Sequence, residues 1–103
     1  MKILKYLDHM REIDASDLHL RVGVPPVYRE SEQLYKMDDE PLSAEDIKDI
    51  VAELLPEADL ERLYAKGEVD LARSFGDAGR FRLNVHLERG RPALAIRRVS
   101  TRI

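Results

Sequence analysis

The chain has no cysteine and no tryptophan, and only two phenylalanines and four tyrosines among its 103 residues. Without cysteine there is neither a disulfide framework nor thiol chemistry, which fits a reducing compartment such as the cytoplasm. No apolar run approaches the roughly 18 residues that a membrane span needs, and the first ten residues lack the apolar core of a signal peptide. These absences predict a soluble protein that is not exported.

Motifs for metal binding, nucleophilic catalysis and phosphate cradling are also missing. His9, His19 and His86 are too far apart in sequence to form a ligand-spaced cluster, so no metal site is predicted. The sequence contains no GxSxG, GxGxxG or GxxxxGK[ST] motif. We therefore predict that this chain alone is not an enzyme, has no catalytic residue and holds no cofactor.

Charge is divided unevenly along the chain. Residues 1–70 contain 9 Lys/Arg and 18 Asp/Glu, whereas residues 71–103 contain 8 basic residues, all arginine, and 2 acidic ones. The planar guanidinium group suits carboxylates and phosphates better than the point charge of lysine does. Two interpretations stay open: the arginines pair with the acidic half of the same domain, or they form an edge that faces an anion.

Hydrophobic periodicity predicts two helical regions and two groups of strands. Helical spacing covers about residues 2–12, and Ser43, with Asp46 at the third position, predicts a capping box that begins a helix interrupted at Pro56 and ended by Gly67. Leu60, Leu63 and Tyr64 form the apolar side of the second helical piece. Period-two alternation or short runs between turn residues predict strands at 17–22, 27–30, 33–37, 71–75, 80–88 and 93–99, with turns at 23–26, 31–32, 76–79 and 89–92.

These elements predict one α+β domain over residues 1–103, in the order α-βββ-α-βββ. Sequential strands with short turns favour an antiparallel sheet, here of about six strands, with the helices packed on one face.

Three arginines are the candidate functional residues. Arg80 and Arg82 lie two apart on one face of strand 80–88, and Arg97 is predicted to project from the neighbouring strand on the same polar side. Arginine supplied by a second domain or subunit can stabilise charge on a transferring phosphate. The competing interpretation is a solvated face whose arginines pair with Glu88 and Asp77, and the pattern alone favours it.

Three segments carry a resemblance to a known family. They are ASDLHL at residues 15–20 followed by GVPP at 23–26 and YR at 28–29, then GRFRLNV at 79–85, then AIRRV at 95–99. In this order and spacing they resemble the amino-terminal domain of PilT-type pilus-retraction (twitching-motility) ATPases of the type II/IV secretion ATPase family. The chain departs from the family pattern at Glu30-Ser31-Glu32, where an Asp-Gly turn is usual, and at Ser100, where a proline is usual.

The resemblance implies a PAS-like domain joined by a short linker to a RecA-like ATPase domain, which is absent from this chain. It implies that the parent is a hexameric ATPase using ATP and Mg²⁺, cytoplasmic and peripheral at the inner-membrane base of the type IV pilus machine. The implied partners are its own ATPase domain, neighbouring subunits and the inner-membrane pilus platform protein.

The resemblance also implies roles for particular residues. Arg80, Arg82 and Arg97 match positions that approach nucleotide held by the ATPase domain. The segment containing Asp17 and His19, together with Arg29, is interpreted as a structural or domain-contact motif.

Two alternatives remain. The chain could be a free-standing PAS-like module for ligand sensing or protein interaction, which needs an apolar pocket. It could also bind nucleic acid through its arginines, but only Phe75 and Phe81 could serve as stacking platforms there, so no nucleic-acid partner is predicted.

Overall fold

The computed structural model describes residues 1–30, 33–36 and 40–99, with only the backbone described for 33–36. The predicted turn at Ser31-Glu32, the strand end at Met37 and the departure at Ser100 lie outside the described residues. The elements, in chain order, are α1 (Leu4–Glu12), β1 (Asp17–Leu20), β2 (Val27–Glu30), β3 (Gln33–Lys36), α2 (Ala44–Leu54), α3 (Glu57–Lys66), β4 (Glu68–Ser74), a short 3-10 turn (Gly76–Ala78), β5 (Arg80–Glu88) and β6 (Arg91–Arg98).

The six strands form one antiparallel sheet with the order β3-β2-β1-β6-β5-β4. Strands β1 to β3 run outward to one edge as a meander. Helices α2 and α3 carry the chain across to the opposite edge, and β4 to β6 return to the centre beside β1. The predicted α+β class is confirmed; the PAS-like designation stays a prediction.

Local sequence signals account for the ends of the helices. The Ser43 hydroxyl accepts a hydrogen bond from the Asp46 amide at 3.0 Å, and the Asp46 carboxylate accepts one from the Ser43 amide at 3.1 Å, so the predicted capping box is confirmed. Helix α3 ends at Gly67, whose φ of 92° lies in the left-handed region that glycine adopts without steric cost.

The hydrophobic core lies between the helices and one face of the sheet. On β5 the buried residues alternate with exposed or half-buried ones, and helix α2 buries the apolar stripe that its periodicity predicts. One continuous cluster joins the two layers, and its largest fully buried side chains are Tyr28, Phe81, Ile3, Leu7, Met10, Leu18, Leu20, Ile47, Ile50, Leu63, Leu83 and Leu94. Among the residues that the structure describes, no helix covers the opposite face of the sheet.

Several expectations about the elements were wrong. Strand β1 ends at Leu20, two residues before the predicted end at Val22. Strand β4 begins at Glu68, three residues earlier than predicted, because Glu68 to Asp70 pair with β5. Strand β6 begins at Arg91 and includes Pro92, which was predicted to lie in a turn. Tyr64, assigned to the apolar side of its helix, is 59% exposed. No helix in the described part of the chain is long and apolar enough to cross a membrane.

Candidate functional site

The uncovered face of the sheet contains a shallow hollow of about 650 Å³. Five adjacent strands contribute to it, so its shape depends on the whole sheet rather than on one loop. The lining residues are Asp17, His19, Arg29, Asp70, Leu71, Ala72, Arg82, Leu83, Asn84, Ala95, Ile96 and Arg97. Two of the three candidate arginines and the three residues of the predicted contact motif therefore meet in one place.

Four of the charged residues that line the hollow are directly opposed partners on neighbouring strands. Arg29 pairs with Asp17, Asp17 with Arg97, and Arg97 with Arg82. Directly opposed residues of antiparallel strands have Cβ atoms only about 4.5–5.5 Å apart. We call Arg29, Asp17, Arg97 and Arg82 the charged row.

Asp17 and Arg97 form the central ion pair of the charged row. The Arg97 Nε donates to Asp17 Oδ1 at 2.9 Å, and the Ser16 hydroxyl donates to Asp17 Oδ2 at 2.9 Å. Burial alone would raise the pKa of Asp17, but the hydrogen bonds from Arg97 and Ser16 outweigh it and lower that pKa. The Asp17 side chain is 15% exposed and that of Arg97 is 70% exposed, so a half-buried carboxylate holds a guanidinium group that reaches solvent.

Arg82 and Arg29 stand at the two ends of the charged row. Both are exposed, and neither forms a side-chain hydrogen bond or ion pair with another described residue. Arg82 therefore presents its donors beside those of Arg97.

Arg80 is separated from the hollow. It is opposite Ser74 at the start of β5, and its Nη1 donates to the Ser74 hydroxyl at 3.2 Å. It is not among the residues that line the hollow. The structure thus brings Arg82 and Arg97 together and leaves Arg80 beside them on the same strand face.

The sequence also allowed the arginines to pair with Glu88 and Asp77, but Arg97 pairs with Asp17 instead. Glu88 lies at the far end of β5, within 3.1 Å of His86 and 3.6 Å of Arg21. The backbone carbonyl of Asp77 accepts a hydrogen bond from Arg11.

A second line of partners, His19, Ala95, Asn84 and Asp70, crosses the same face. Asn84 Nδ2 donates to Asp70 Oδ1 at 2.9 Å and to Glu68 Oε1 at 2.8 Å. Burial lowers the pKa of His19. Ala95, between His19 and Asn84 in this line, presents only a methyl group to the hollow.

Sequence reasoning missed Asp70 as a site residue because it placed the start of β4 after it. The signal was present, since Val69 and Leu71 alternate with Glu68 and Asp70. Within the ranges that the structure describes, no group of three or more His, Cys, Asp or Glu side chains is arranged to hold a metal ion.

A different hollow, of about 540 Å³, lies on the helix side of the molecule. Its walls come from α2, α3 and the start of β6, and the exposed Tyr64 is part of it. The lining residues are Lys48, Val51, Ala52, Glu57, Leu60, Glu61, Tyr64 and Pro92. This mainly apolar groove adjoins the core, since Val51 belongs to the core cluster and Leu60 packs against it.

Comparison with known proteins finds whole-chain relatives of this domain. No protein-family model matches the chain. The type IV pilus ATPase PilU of Pseudomonas aeruginosa is 29% identical over all 103 residues, which correspond to 27% of that protein. The crystal structure of the pilus retraction motor PilT with bound ADP matches all of this chain, which covers 30% of that one, with a TM-score of 0.90 and 33% identity.

A more distant match supports the fold alone. The X-ray structure of the Legionella pneumophila ATPase DotB matches 98% of this chain with a TM-score of 0.81 and 20% identity. The chain spans less than a third of the length of each of these proteins.

Proposed function

The chain resembles the amino-terminal domain of PilT-type pilus-retraction ATPases along its whole length, and we propose that it serves as the amino-terminal regulatory and assembly domain of such a motor. In this role it is part of a hexameric ATPase of the type IV pilus, which drives twitching motility. ATP and Mg²⁺ are held by a RecA-like domain outside these 103 residues, because the chain itself has no phosphate-binding loop.

The observation that carries the functional part of the proposal is the neighbouring pair Arg82 and Arg97. Both side chains are exposed on a face without a helical cover, beside a hollow, and one of them has no partner among the described residues. Guanidinium groups placed in this way can approach the phosphates of a nucleotide bound by another domain. Arg80, two residues from Arg82 on the same strand face, is the third proposed contact.

The proposed partners follow from this role. The open face of the sheet faces the ATPase domain of the same chain or of a neighbouring subunit in a homohexamer. The assembly acts in the cytoplasm, peripheral to the inner membrane, on the platform protein of the pilus. Asp17, His19 and Arg29 serve the domain contact. Nucleic acid is not proposed as a partner; Phe75 and Phe81, the two aromatic residues that lie among the arginines in sequence, are both buried.

The test compares two arginine variants in a full-length protein that contains this chain. Arg82→Gln removes a charge beside the hollow. Arg91→Gln removes the same charge from the same sheet face, on the strand of Arg97 but six residues away, which is about 20 Å along a strand. We expect Arg82→Gln to lower the ATP turnover rate by a factor on the order of 10², as for loss of one preorganised donor, and Arg91→Gln to change it less than about twofold. Equal turnover in both variants would remove Arg82 from the proposal.

The helix-side groove favours a second candidate function. A free-standing PAS-like module for ligand sensing or protein interaction would use the exposed Tyr64 and the apolar walls around it. A ligand or partner that the wild-type chain retains in native mass spectrometry, and that Tyr64→Ser loses, would favour this candidate. An unmodified mass for both would count against it.

A further inference from the structure

The charged row contains an arrangement that stability alone does not favour. Arg82 and Arg97 are directly opposed on neighbouring strands, and like charges at opposed positions destabilise a sheet. Asp17 contacts only one of them, so its single negative charge leaves a local excess of positive charge. An excess of this kind is relieved when an anion binds.

We infer that Arg82 and Arg97 form a clamp for a polyphosphate-class anion, and that Asp17 is the positioning residue that holds Arg97 in the clamp. The identity of the ligand class rests on the proposed function. The role of Asp17 goes beyond that function, which placed this residue only in a structural or domain-contact motif.

The atoms used in the Asp17–Arg97 contact support this role. The contact is made through Nε, and the two terminal nitrogens of the guanidinium group, which bond to no residue in the described ranges, can donate to a ligand. The second carboxylate oxygen of Asp17 is engaged by Ser16, and the backbone of Asp17 pairs with that of Arg97 in the sheet. Asp17 therefore restricts Arg97 near its stem while leaving its tip available.

A neighbouring aspartate–arginine pair shows the opposite arrangement. Arg98 donates through its terminal Nη1 to Asp14 Oδ1 at 2.9 Å and to the Ala15 carbonyl at 3.2 Å. The terminal nitrogen Nη1 of Arg98 is thus engaged in contacts within the domain. The Asp14 side chain is 89% exposed, whereas that of Asp17 is 15% exposed, so Asp17 is much the more shielded of the two carboxylates.

The inference can be tested by the sign of a charge effect. If Asp17 were only a counter-ion, Asp17→Asn would remove a negative charge beside the ligand and strengthen anion binding. If Asp17 positions Arg97, the same variant frees a long side chain that must then be ordered on binding, and anion binding weakens. The two accounts predict changes in opposite directions.

The experiment is a titration of the 103-residue chain with inorganic tripolyphosphate at low ionic strength, followed by the NMR signals of the arginine side chains. The wild-type chain is compared with Asp17→Asn and with the matched control Asp14→Asn. The control removes the same charge from the neighbouring aspartate–arginine pair, in which the aspartate does not hold Arg97, and Asn tolerates the left-handed conformation of residue 14, whose φ is 55°. Backbone amide spectra verify that each variant is folded.

We expect weak binding that shifts the signals of Arg82 and Arg97 in the wild-type chain. Asp17→Asn should weaken it about tenfold, and Asp14→Asn should change it less than about twofold. Binding by Asp17→Asn as tight as or tighter than wild type, or equal weakening in both variants, would overturn the positioning role and leave the proposed function standing. No shift of Arg82 or Arg97 in the wild-type chain would overturn the clamp together with the nucleotide-contacting role of these arginines.

Discussion

Phe81 and Arg82 are neighbours on β5, but their side chains lie on opposite faces of the sheet, Phe81 on the face covered by the helices and Arg82 on the open face. Phe81 is fully buried, packed edge-to-face against Phe75 with ring centroids 5.9 Å apart. Arg82 is exposed beside Arg97 with no partner among the described residues. Side chains on the covered face make their contacts within the domain, whereas the open face presents the positive charge of Arg82, which a second molecule or domain can contact.

The largest expected effect comes from breaking the covered face. Phe81→Ala removes a buried aromatic ring from the single core cluster and leaves a cavity, so it should lower the free energy of unfolding by about 3–5 kcal/mol. Urea unfolding followed by circular dichroism measures this. A loss below about 1 kcal/mol would mean that the two faces do not differ as described.

A smaller effect is expected from the acid dependence of the charged row. The pKa of Asp17 in the folded state is lower than its ordinary value. The ionised Asp17–Arg97 pair therefore stabilises the fold at any pH above the ordinary pKa of an aspartate, and this stabilisation is lost as pH falls through the lowered pKa. Asp17→Asn removes this pH-dependent contribution to stability. The wild-type chain should therefore lose up to about 1 kcal/mol more stability than Asp17→Asn as pH falls from 6 to 2.

Thermal unfolding at a series of pH values checks this prediction. Burial lowers the pKa of His19 and the negative charge of Asp17 partly opposes that shift, so His19 also contributes a loss of stability on acidification, and a larger one in Asp17→Asn. This His19 difference opposes the one expected from the Asp17–Arg97 pair and falls at higher pH, because an imidazole is protonated before a carboxylate as pH falls. Asp14→Asn is the control for removing a carboxylate. Parallel pH profiles for the wild-type chain and Asp17→Asn would contradict the account of this ion pair.

The smallest expected effect is at Arg82 itself. Arg82→Ala removes an exposed side chain and relieves its repulsion with Arg97, so the free energy of unfolding should change by no more than about 0.5 kcal/mol in either direction. Urea unfolding beside Phe81→Ala gives the direct contrast between the two faces. A loss above about 1.5 kcal/mol would show that Arg82 is a structural residue.

The covered face could be predicted from the sequence because its signals are local. The alternation on β5, the capping box at Ser43 and the left-handed Gly67 each depend on residues a few positions apart. Pro92 was misassigned because a proline in a central strand is unfavourable. Here β1 ends at Leu20, opposite Leu94, so at Pro92 the strand has only β5 beside it and proline is tolerated.

The charged row could not be predicted because it depends on register between distant segments. Asp17 and Arg97 are 80 residues apart, and a shift of one residue in the pairing of β1 with β6 would place them on opposite faces. Tyr64 was misplaced for a related reason: helical spacing marks an apolar stripe but does not show how far the neighbouring layer extends over it. Sequence patterns therefore identified the arginines without showing which of them Asp17 holds.

The most direct test of the central claim is the structure of a full-length protein containing this chain, determined with a non-hydrolysable ATP analogue. The account predicts that the open face of the sheet faces a nucleotide, with Arg82 and Arg97 within hydrogen-bond distance, about 2.7–3.2 Å, of its phosphate oxygens and with Asp17 still bound to Nε of Arg97. An open face directed to solvent, with both guanidinium groups away from every bound nucleotide, would contradict it.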